Sequence, residues 1–234
     1  MTIQKATGII LRVRPYSDTT LIVHWLTPDL GRLATIAKGA RRPKSPFRGQ
    51  LDLFYSAEFS FARSARSDLH TLREVKTFET HSRLRTDFAY VAQASYAAAL
   101  IEQATEPEAP LPILHQHFTQ FLAVLPERPA QAQSIFALEM KVLHDLGLAP
   151  NLADNALTPG SRQILAKLTE LDWPALSCVH LSAAQLSEIR DYLHHFLGYH
   201  LGKVPQSRAV AGGWLITNRT PQIGLGGGRG GGGG

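Results

Sequence analysis

The chain has 234 residues, and 44% of them are hydrophobic, a proportion that excludes a largely disordered protein. No apolar run approaches the roughly 20 residues of a membrane-spanning helix, and the N-terminus lacks the pattern of a secretory signal, so we expect a cytoplasmic protein with no membrane partner. Cys178 is the one cysteine. A single cysteine excludes an intrachain disulfide and a cysteine-cluster zinc site. We expect Cys178 to be a small core residue.

The first eighty residues show the alternation of apolar and polar residues that is typical of β-strands. In the first strand this alternation places Ile9, Leu11 and Val13 on one face and Arg12 and Arg14 on the other. Five short antiparallel strands in this length predict a small closed barrel such as the OB-fold, and an SH3-like barrel is the alternative. The predicted strands are 7–14, 19–27, 31–39, 51–62 and 69–79.

From about residue 83 the apolar residues recur with the period of α-helices. Helix ends are marked by Pro126 and by the glycine of "LGLAP", and Thr158 and Ser182 are predicted N-caps. The sequence therefore predicts an α+β protein, with an OB-fold barrel over residues 1–80 and an α-helical domain over 81–208. We expect the glycine-rich residues 209–234 to form a flexible tail.

Positive charge is concentrated in the predicted barrel. Residues 1–85 contain fifteen Lys or Arg against seven Asp or Glu, whereas the remaining residues contain nine against twelve. An even excess would indicate solubility only, but an excess confined to one end indicates that this end binds a polyanion.

The segment "AKGARRPKSPFRG", residues 37–49, carries the densest positive charge. Its two prolines and two glycines favour a loop, in which long cationic side chains form a flexible track along a phosphate backbone and release its counterions. A solvated loop that only improves solubility is the alternative. The predicted DNA-binding cations of this segment are Lys38, Arg41, Arg42, Lys44 and Arg48.

Aromatic side chains close to these cations would stack on the bases of a single strand. Phe47, inside the basic segment, is the best stacking candidate, and the alternative for it is a loop anchor. Arg12 and Arg14, on the polar face of the first strand, would extend the cationic track. The other aromatic candidates are Tyr16, Trp25, Phe54 and Tyr55.

No arrangement of residues indicates catalysis or metal binding. The three histidines of the last helix, His194, His195 and His200, lack the i, i+4 spacing of helical zinc ligands. Tyr199 and Lys203 have a spacing used by some dehydrogenases, but no dinucleotide-binding segment precedes them. We therefore expect no enzyme activity, no catalytic residue, no metal and no cofactor.

Three stretches resemble the RecO family of bacterial recombination mediators. The opening "GIILRVRPYSDTTLIVHWLTPDLGRLATIAKGARRPKSPFRGQLDLF" carries that family's Arg-Pro-Tyr turn, its Thr-Pro-x-x-Gly turn and its basic loop. "ALEMKVLHDLGLAPNL" is similar to the central helix of the family, and "DYLHHFLGYHLGKVPQSR" to its last helix, with the pattern Pro205, Ser207, Arg208.

The resemblance implies an OB-fold followed by an α-helical domain and binding to single- and double-stranded DNA. It also implies annealing of complementary strands without ATP and a role in gap repair by the RecF pathway, in a nucleoid-associated protein. RecR and the acidic C-terminal tail of the single-strand-binding protein SSB are the implied partners, and together they let RecA replace SSB on gapped DNA. A general single-stranded RNA- or DNA-binding OB-fold protein without a recombination role is the alternative function.

The chain departs from the family pattern in two places. Many relatives carry a four-cysteine zinc element after the central helix, whereas "NLADNALTPGSRQ" is short and contains no cysteine. Some relatives have arginines at the start of the central helix, proposed to bind the SSB tail, where this chain has Phe136 and Ala137. The SSB contact is therefore expected to move to Lys141 or Lys167, or to be weaker than in those relatives.

Overall fold

Five strands at the start of the chain close into a β-barrel in the computed structural model, which describes residues 2–152 and 157–214. The strand order around the barrel is β1-β2-β3-β5-β4, with β4 pairing back onto β1. β3 and β5 are parallel and the other neighbours are antiparallel. This topology confirms the predicted OB-fold barrel and excludes the SH3-like alternative. The strands are β1 (Ile3–Pro15), β2 (Leu21–Thr27), β3 (Gly31–Ala37), β4 (Ser56–Ala62) and β5 (Leu69–Glu79).

A β-bulge in β1 changes which side chains enter the barrel. The register with β2 shifts between Ile10 and Arg12, so Leu11 is an extra residue in the strand. Ile9 and Leu11 consequently pack against the helical part of the molecule, whereas Val13 packs with the barrel interior. The prediction that these three residues share one face was therefore wrong.

Within the described residues, six α-helices follow the barrel. Thr158 accepts a hydrogen bond from the Ser161 N–H at the start of the fourth helix, and Ser182 and Gln185 form a complete capping box at the start of the fifth. These hydrogen bonds confirm both N-cap predictions. Sequence could identify the caps because a capping side chain contacts only the next few residues. The helices are α1 (Phe88–Ala104), α2 (Pro112–Val124), α3 (Ala132–Asp145), α4 (Pro159–Glu170), α5 (Ala183–Leu201) and α6 (Arg208–Ala211).

Two expectations from the sequence meet a different outcome in this region. Cys178 is exposed at the end of a 3-10 turn, Trp173–Cys178, because Trp173 and Leu176 supply its buried side chains. The expectation of a core cysteine was therefore wrong. Of the predicted flexible tail, residues 209–211 belong to the helix Arg208–Ala211 and residues 212–214 follow it, whereas residues 215–234 lie outside the described residues.

The barrel and the helices share one hydrophobic core. Ile9, Leu11, Leu26 and Phe54 on the barrel side belong to the same cluster of buried residues as the inward faces of the helices. A second cluster, around Trp25, fills the barrel itself. Burial of apolar surface between the two parts therefore stabilises their relative position.

A buried polar network closes the helical part. Arg208 in α6 donates two hydrogen bonds to the Glu139 carboxylate of α3, from Nε at 2.6 Å and from Nη2 at 2.9 Å. The Tyr96 hydroxyl of α1 donates to the same carboxylate at 2.6 Å. Burial raises the pKa of Tyr96 well above its ordinary value, and the neighbouring Glu139 charge acts in the same direction. The Arg208 of the Pro-x-Ser-Arg pattern is thus a structural clasp across three helices.

The linker between α1 and α2 crosses one end of the barrel. The Glu108 N–H donates to the Arg32 carbonyl at 2.9 Å, and the Arg32 side chain donates to the hydroxyl and carbonyl oxygens of Thr105. Gly31 adopts φ +66°, and a Cβ on this residue would overlap the Ala109 carbonyl. Close approach of the linker therefore requires glycine at position 31.

Candidate nucleic-acid interface

The basic segment belongs to the connection between β3 and β4 and is folded into successive turns. Three backbone hydrogen bonds join residues that are three positions apart, as in β-turns. The Arg42 N–H donates to the Gly39 carbonyl at 3.0 Å, the Ser45 N–H to the Arg42 carbonyl at 3.0 Å, and the Arg48 N–H to the Ser45 carbonyl at 3.2 Å. The backbone thus follows a defined path. The flexible track expected from the sequence is replaced by an ordered arch over residues 38–50, which we call the basic arch.

Contacts to neighbouring elements hold both ends of the basic arch. Arg41 donates from its backbone N–H to the Thr19 carbonyl at 3.1 Å and from Nη1 to the Ser17 carbonyl at 3.3 Å, in the turn between β1 and β2. At the other end, Thr77 of β5 donates from its hydroxyl to the Gln50 carbonyl at 3.1 Å. The arch is therefore tied to the β1–β2 turn and to β5.

Phe47 lies inside the barrel rather than on its surface. Its side chain is 7% exposed and belongs to the cluster that contains the stacked rings of Trp25 and Phe59. The sequence left two roles open for Phe47, base stacking or anchoring the loop. In the structure Phe47 anchors the loop, so its ring is not available to stack on a base.

Tyr16 is the aromatic candidate that faces solvent. It lies in the turn between β1 and β2, is 64% exposed, and precedes the Ser17 carbonyl that accepts from Arg41. Trp25 and Phe54 are buried, and Tyr55 is half-buried with the Arg85 guanidinium 5.4 Å from its ring centroid. Tyr16 therefore has the exposure that base stacking requires.

The cations of the basic arch are exposed to solvent. Within the described ranges 2–152 and 157–214, none of the five has a carboxylate within ion-pair distance. The nearest acidic residues in the sequence, Asp29 and Asp52, lie outside the arch, and Asp52 is paired with Arg85. The arch thus presents positive charge that an external polyanion can neutralise. Its exposed cations are Lys38, Arg41, Arg42, Lys44 and Arg48.

The two predicted cations of β1 differ in their surroundings. Arg14 is exposed and lies two residues before Tyr16. Arg12 is half exposed and forms an ion pair with Glu102 of α1. Arg14 therefore extends the positive surface of the arch directly, whereas the charge of Arg12 is partly used within the molecule.

The two positions suggested for an acidic tail are not equivalent. Lys141 is 5% exposed, and its Nζ donates to the Thr169 carbonyl at 2.8 Å beneath the ring of Trp173. Burial lowers the pKa of Lys141, and Asp172 and Asp145 oppose this effect. Lys141 is therefore unavailable for docking because it is an internal contact between α3 and α4. Lys167 is exposed on α4.

A cation that the sequence did not single out lies beside an apolar groove. Arg128, half-buried after α2, lines a shallow groove with Val124, Trp173 and Leu176. Nothing in the sequence indicated this position, because the groove is assembled from separate segments of the chain.

The described part of the chain contains no helix that is both long and apolar enough to cross a membrane. Within the same residues, His, Cys, Asp and Glu side chains form no group of three or more that could hold a metal ion.

Comparison with known proteins gives matches across most of the described chain. The family described as Recombination protein O N terminal matches residues 1–81, and Recombination protein O C terminal matches residues 85–159. The DNA repair protein RecO of Exiguobacterium sibiricum is 31% identical over 150 residues, which cover 64% of this chain and 59% of that protein. The protein of the same name from Bacillus subtilis is 31% identical over 148 residues, which cover 63% of this chain and 57% of that protein.

The aligned region thus spans less than two thirds of the length of these relatives. The two family matches nevertheless cover the barrel and the first three helices, α1 to α3, over more than half of the chain. On this basis, the chain belongs to the RecO family.

Proposed function

We propose that this chain is a DNA-binding mediator of recombinational repair and that its basic arch binds the phosphates of single- and double-stranded DNA. The observation that carries the proposal is the set of five exposed cations on an ordered arch of an OB-fold, next to the exposed ring of Tyr16, with no carboxylate partner among the described residues. Relatives named DNA repair protein RecO support the assignment to repair.

The arch is suited to binding DNA regardless of base sequence. Its cations lie on a loop and not on a helix shaped for the major groove, so they contact phosphates and carry no base-specific information. Stacking on Tyr16 is also insensitive to sequence because every base has an aromatic face. Two strands held on one molecule have a raised effective concentration, which accelerates annealing without ATP.

The helical part of the molecule provides the proposed protein contacts. We assign the acidic tail of SSB to one of two cations: the exposed Lys167, or the half-buried Arg128, which lines an apolar groove. RecR is the second partner, and RecA loading on gapped DNA is the outcome of the combined contacts. The function proposed is therefore a non-enzymatic one.

The first test measures affinity for single-stranded oligonucleotides across salt concentrations by fluorescence anisotropy. Replacement of all five arch cations by alanine should weaken binding and reduce the salt slope by up to about 0.7 for each phosphate that the variant no longer neutralises. The double variant Arg42→Ala/Lys44→Ala should lose more affinity than Lys5→Ala/Arg66→Ala, which removes two exposed cations from the opposite end of the barrel. Equal losses of affinity in the two double variants would show that general charge, and not the arch, governs binding.

The second test separates a recombination mediator from a general nucleic-acid binder. A mediator should accelerate annealing of complementary DNA strands that are coated with SSB, and the five-alanine variant should lose this acceleration. A protein that binds naked strands but leaves SSB-coated strands unannealed would be a general binding protein, contrary to the proposal.

A further inference from the structure

A groove of about 560 Å³ separates the barrel from the end of the helical part. Arg12 of β1 lines one side, and Lys203 and Gln206, which follow α5, line the other. Gln103 of α1 lies between them and donates from Nε2 to the carbonyls of Leu201 at 3.1 Å and Lys203 at 2.8 Å. The segment that carries Lys203 is therefore fixed on α1.

The charge that this groove presents to solvent is positive. Glu102 is the carboxylate in its lining, with a side chain that is 10% exposed and paired with Arg12 and His24. Burial opposes ionisation of Glu102, but the hydrogen bond from His24 and the charge of Arg12 hold its pKa below the ordinary value. Lys203 is exposed and, among the residues that the structure describes, has no carboxylate within ion-pair distance.

Along β1, two cationic side chains lie between the far wall of the groove and the basic arch. Arg12 and Arg14 are two residues apart, a separation of about 6.6 Å along a strand, and Arg14 leads into the turn that binds Arg41. Cationic positions therefore extend from the arch, through Arg14 and Arg12, to Lys203 on the far wall of the groove. A long polyanion matches this linear distribution of charge better than a compact anion does.

We propose that a single strand of DNA bound at the basic arch continues along β1 into this groove, where Lys203 contacts its phosphate backbone. This inference rests on the proposed function and defines a second section of the same binding surface. Because the groove lies beyond the arch, contact with Lys203 should increase the number of nucleotides that one molecule binds.

The test uses the full chain and two labelled oligothymidylates, of about 8 and about 25 nucleotides, since one OB-fold covers roughly 4–16 nucleotides. For the longer oligonucleotide, Lys203→Ala should weaken binding about threefold to tenfold and lower the salt slope by about 0.7, the value for one phosphate contact on a single strand. For the shorter one, binding should match that of the wild type.

Two further variants identify the cause of any change. Lys203→Arg keeps the positive charge and should retain wild-type affinity, whereas Lys5→Ala removes an exposed lysine outside the groove and should have no effect on either oligonucleotide. Thermal unfolding of each variant confirms that the fold is intact.

The outcomes distinguish this inference from the proposed function. If the wild type fails to bind the short oligonucleotide in dilute buffer, binding at the arch is wrong. If the wild type binds both and Lys203→Ala binds the long oligonucleotide as tightly as the wild type does, only the groove is wrong. A decrease in affinity for an acidic peptide, with DNA binding unchanged, would identify a peptide as the occupant and also overturn the inference.

Discussion

Phe47 and Tyr16 are two aromatic residues near the same cations, and their surroundings assign them different roles. The ring of Phe47 is part of the barrel core, whereas the ring of Tyr16 faces solvent. Removal of a buried phenyl ring takes away apolar packing and leaves a cavity. Removal of an exposed tyrosine ring changes stability little.

We therefore expect Phe47→Ala to lower the free energy of unfolding by about 3–5 kcal/mol. Tyr16→Ala should change stability by less than about 0.5 kcal/mol and weaken single-strand binding by about 1–3 kcal/mol, the contribution of one stacked base. Denaturant unfolding and anisotropy measure the two quantities. A Phe47→Ala protein that is fully stable but no longer binds DNA would reverse the two assignments.

Arg208 illustrates a buried charge that depends on its partner. Its removal leaves the Glu139 carboxylate without its bidentate donor in a site excluded from water. Arg208→Ala should consequently cost about 3–5 kcal/mol of unfolding free energy. Arg190→Ala is the matched control, since Arg190 pairs with Asp191 at the surface, and it should cost less than about 1 kcal/mol. Similar costs for the two variants would contradict the role of the clasp.

Side-chain burial in loops was the least predictable property at this scale. The basic segment could be recognised from its composition, but no periodicity in a loop indicates which residue turns inward. The anchor role of Phe47 follows from the path of the arch over the barrel, and the exposure of Cys178 follows from the two apolar side chains that fill the core near it.

Among the elements, those whose signals are local were predicted best. The capping residues Thr158 and Ser182 act on the next three residues, so sequence alone identifies them. The bulge at Leu11 depends on hydrogen bonds with a distant segment, since the Phe54 N–H donates to the Ile10 carbonyl at 2.9 Å and the Ile10 N–H donates to the Tyr55 carbonyl at 3.0 Å. The alternation of apolar and polar residues within one strand does not indicate such pairing between distant segments.

The α1–α2 linker packs closely against Gly31 at the start of β3, so a larger residue at this position should destabilise the fold. Gly31→Ala places a methyl group against the Ala109 carbonyl in a left-handed conformation, and we expect a decrease of about 3 kcal/mol in unfolding free energy. Gly49→Ala has a similar positive φ but open space around it, and should cost only about 1 kcal/mol. Equal costs in denaturant unfolding would mean that the linker moves away freely.

At the scale of the whole molecule, Glu102 joins the barrel to the helices through Arg12 and His24. Its pKa is held below the ordinary 4.5, with burial opposing and the His24 hydrogen bond and Arg12 charge favouring the ionised form. A carboxylate with a depressed pKa in the folded state stabilises the fold above the pKa of the unfolded state, and this contribution disappears as pH falls through the folded pKa.

Glu102→Gln should accordingly lower the unfolding free energy by about 1–2 kcal/mol at neutral pH, and the difference from the wild type should shrink below pH 4.5. Glu127→Gln, at an exposed pair with Arg83, should produce a smaller difference. A difference for Glu102→Gln that stays constant across this pH range would show that the carboxylate charge is not responsible.

The prediction that Lys141 is available for docking was wrong because of how two helices pack together. Lys141 belongs to a helix that was correctly predicted, but the approach of α4 buries its ammonium group against Thr169. The OB-fold, the helical domain and the basic segment could all be derived from patterns within one segment. Accessible surface between segments, including the groove at Lys203, could not.

The ties between Arg41 and the neighbouring turn have a thermodynamic consequence for ligand capture. A segment that is already folded loses little conformational entropy when a polymer settles on it, so association should proceed with a small change in heat capacity, unlike coupled folding and binding. Calorimetry at several temperatures would therefore register mainly the displacement of ions, and hardly any ordering of the polypeptide.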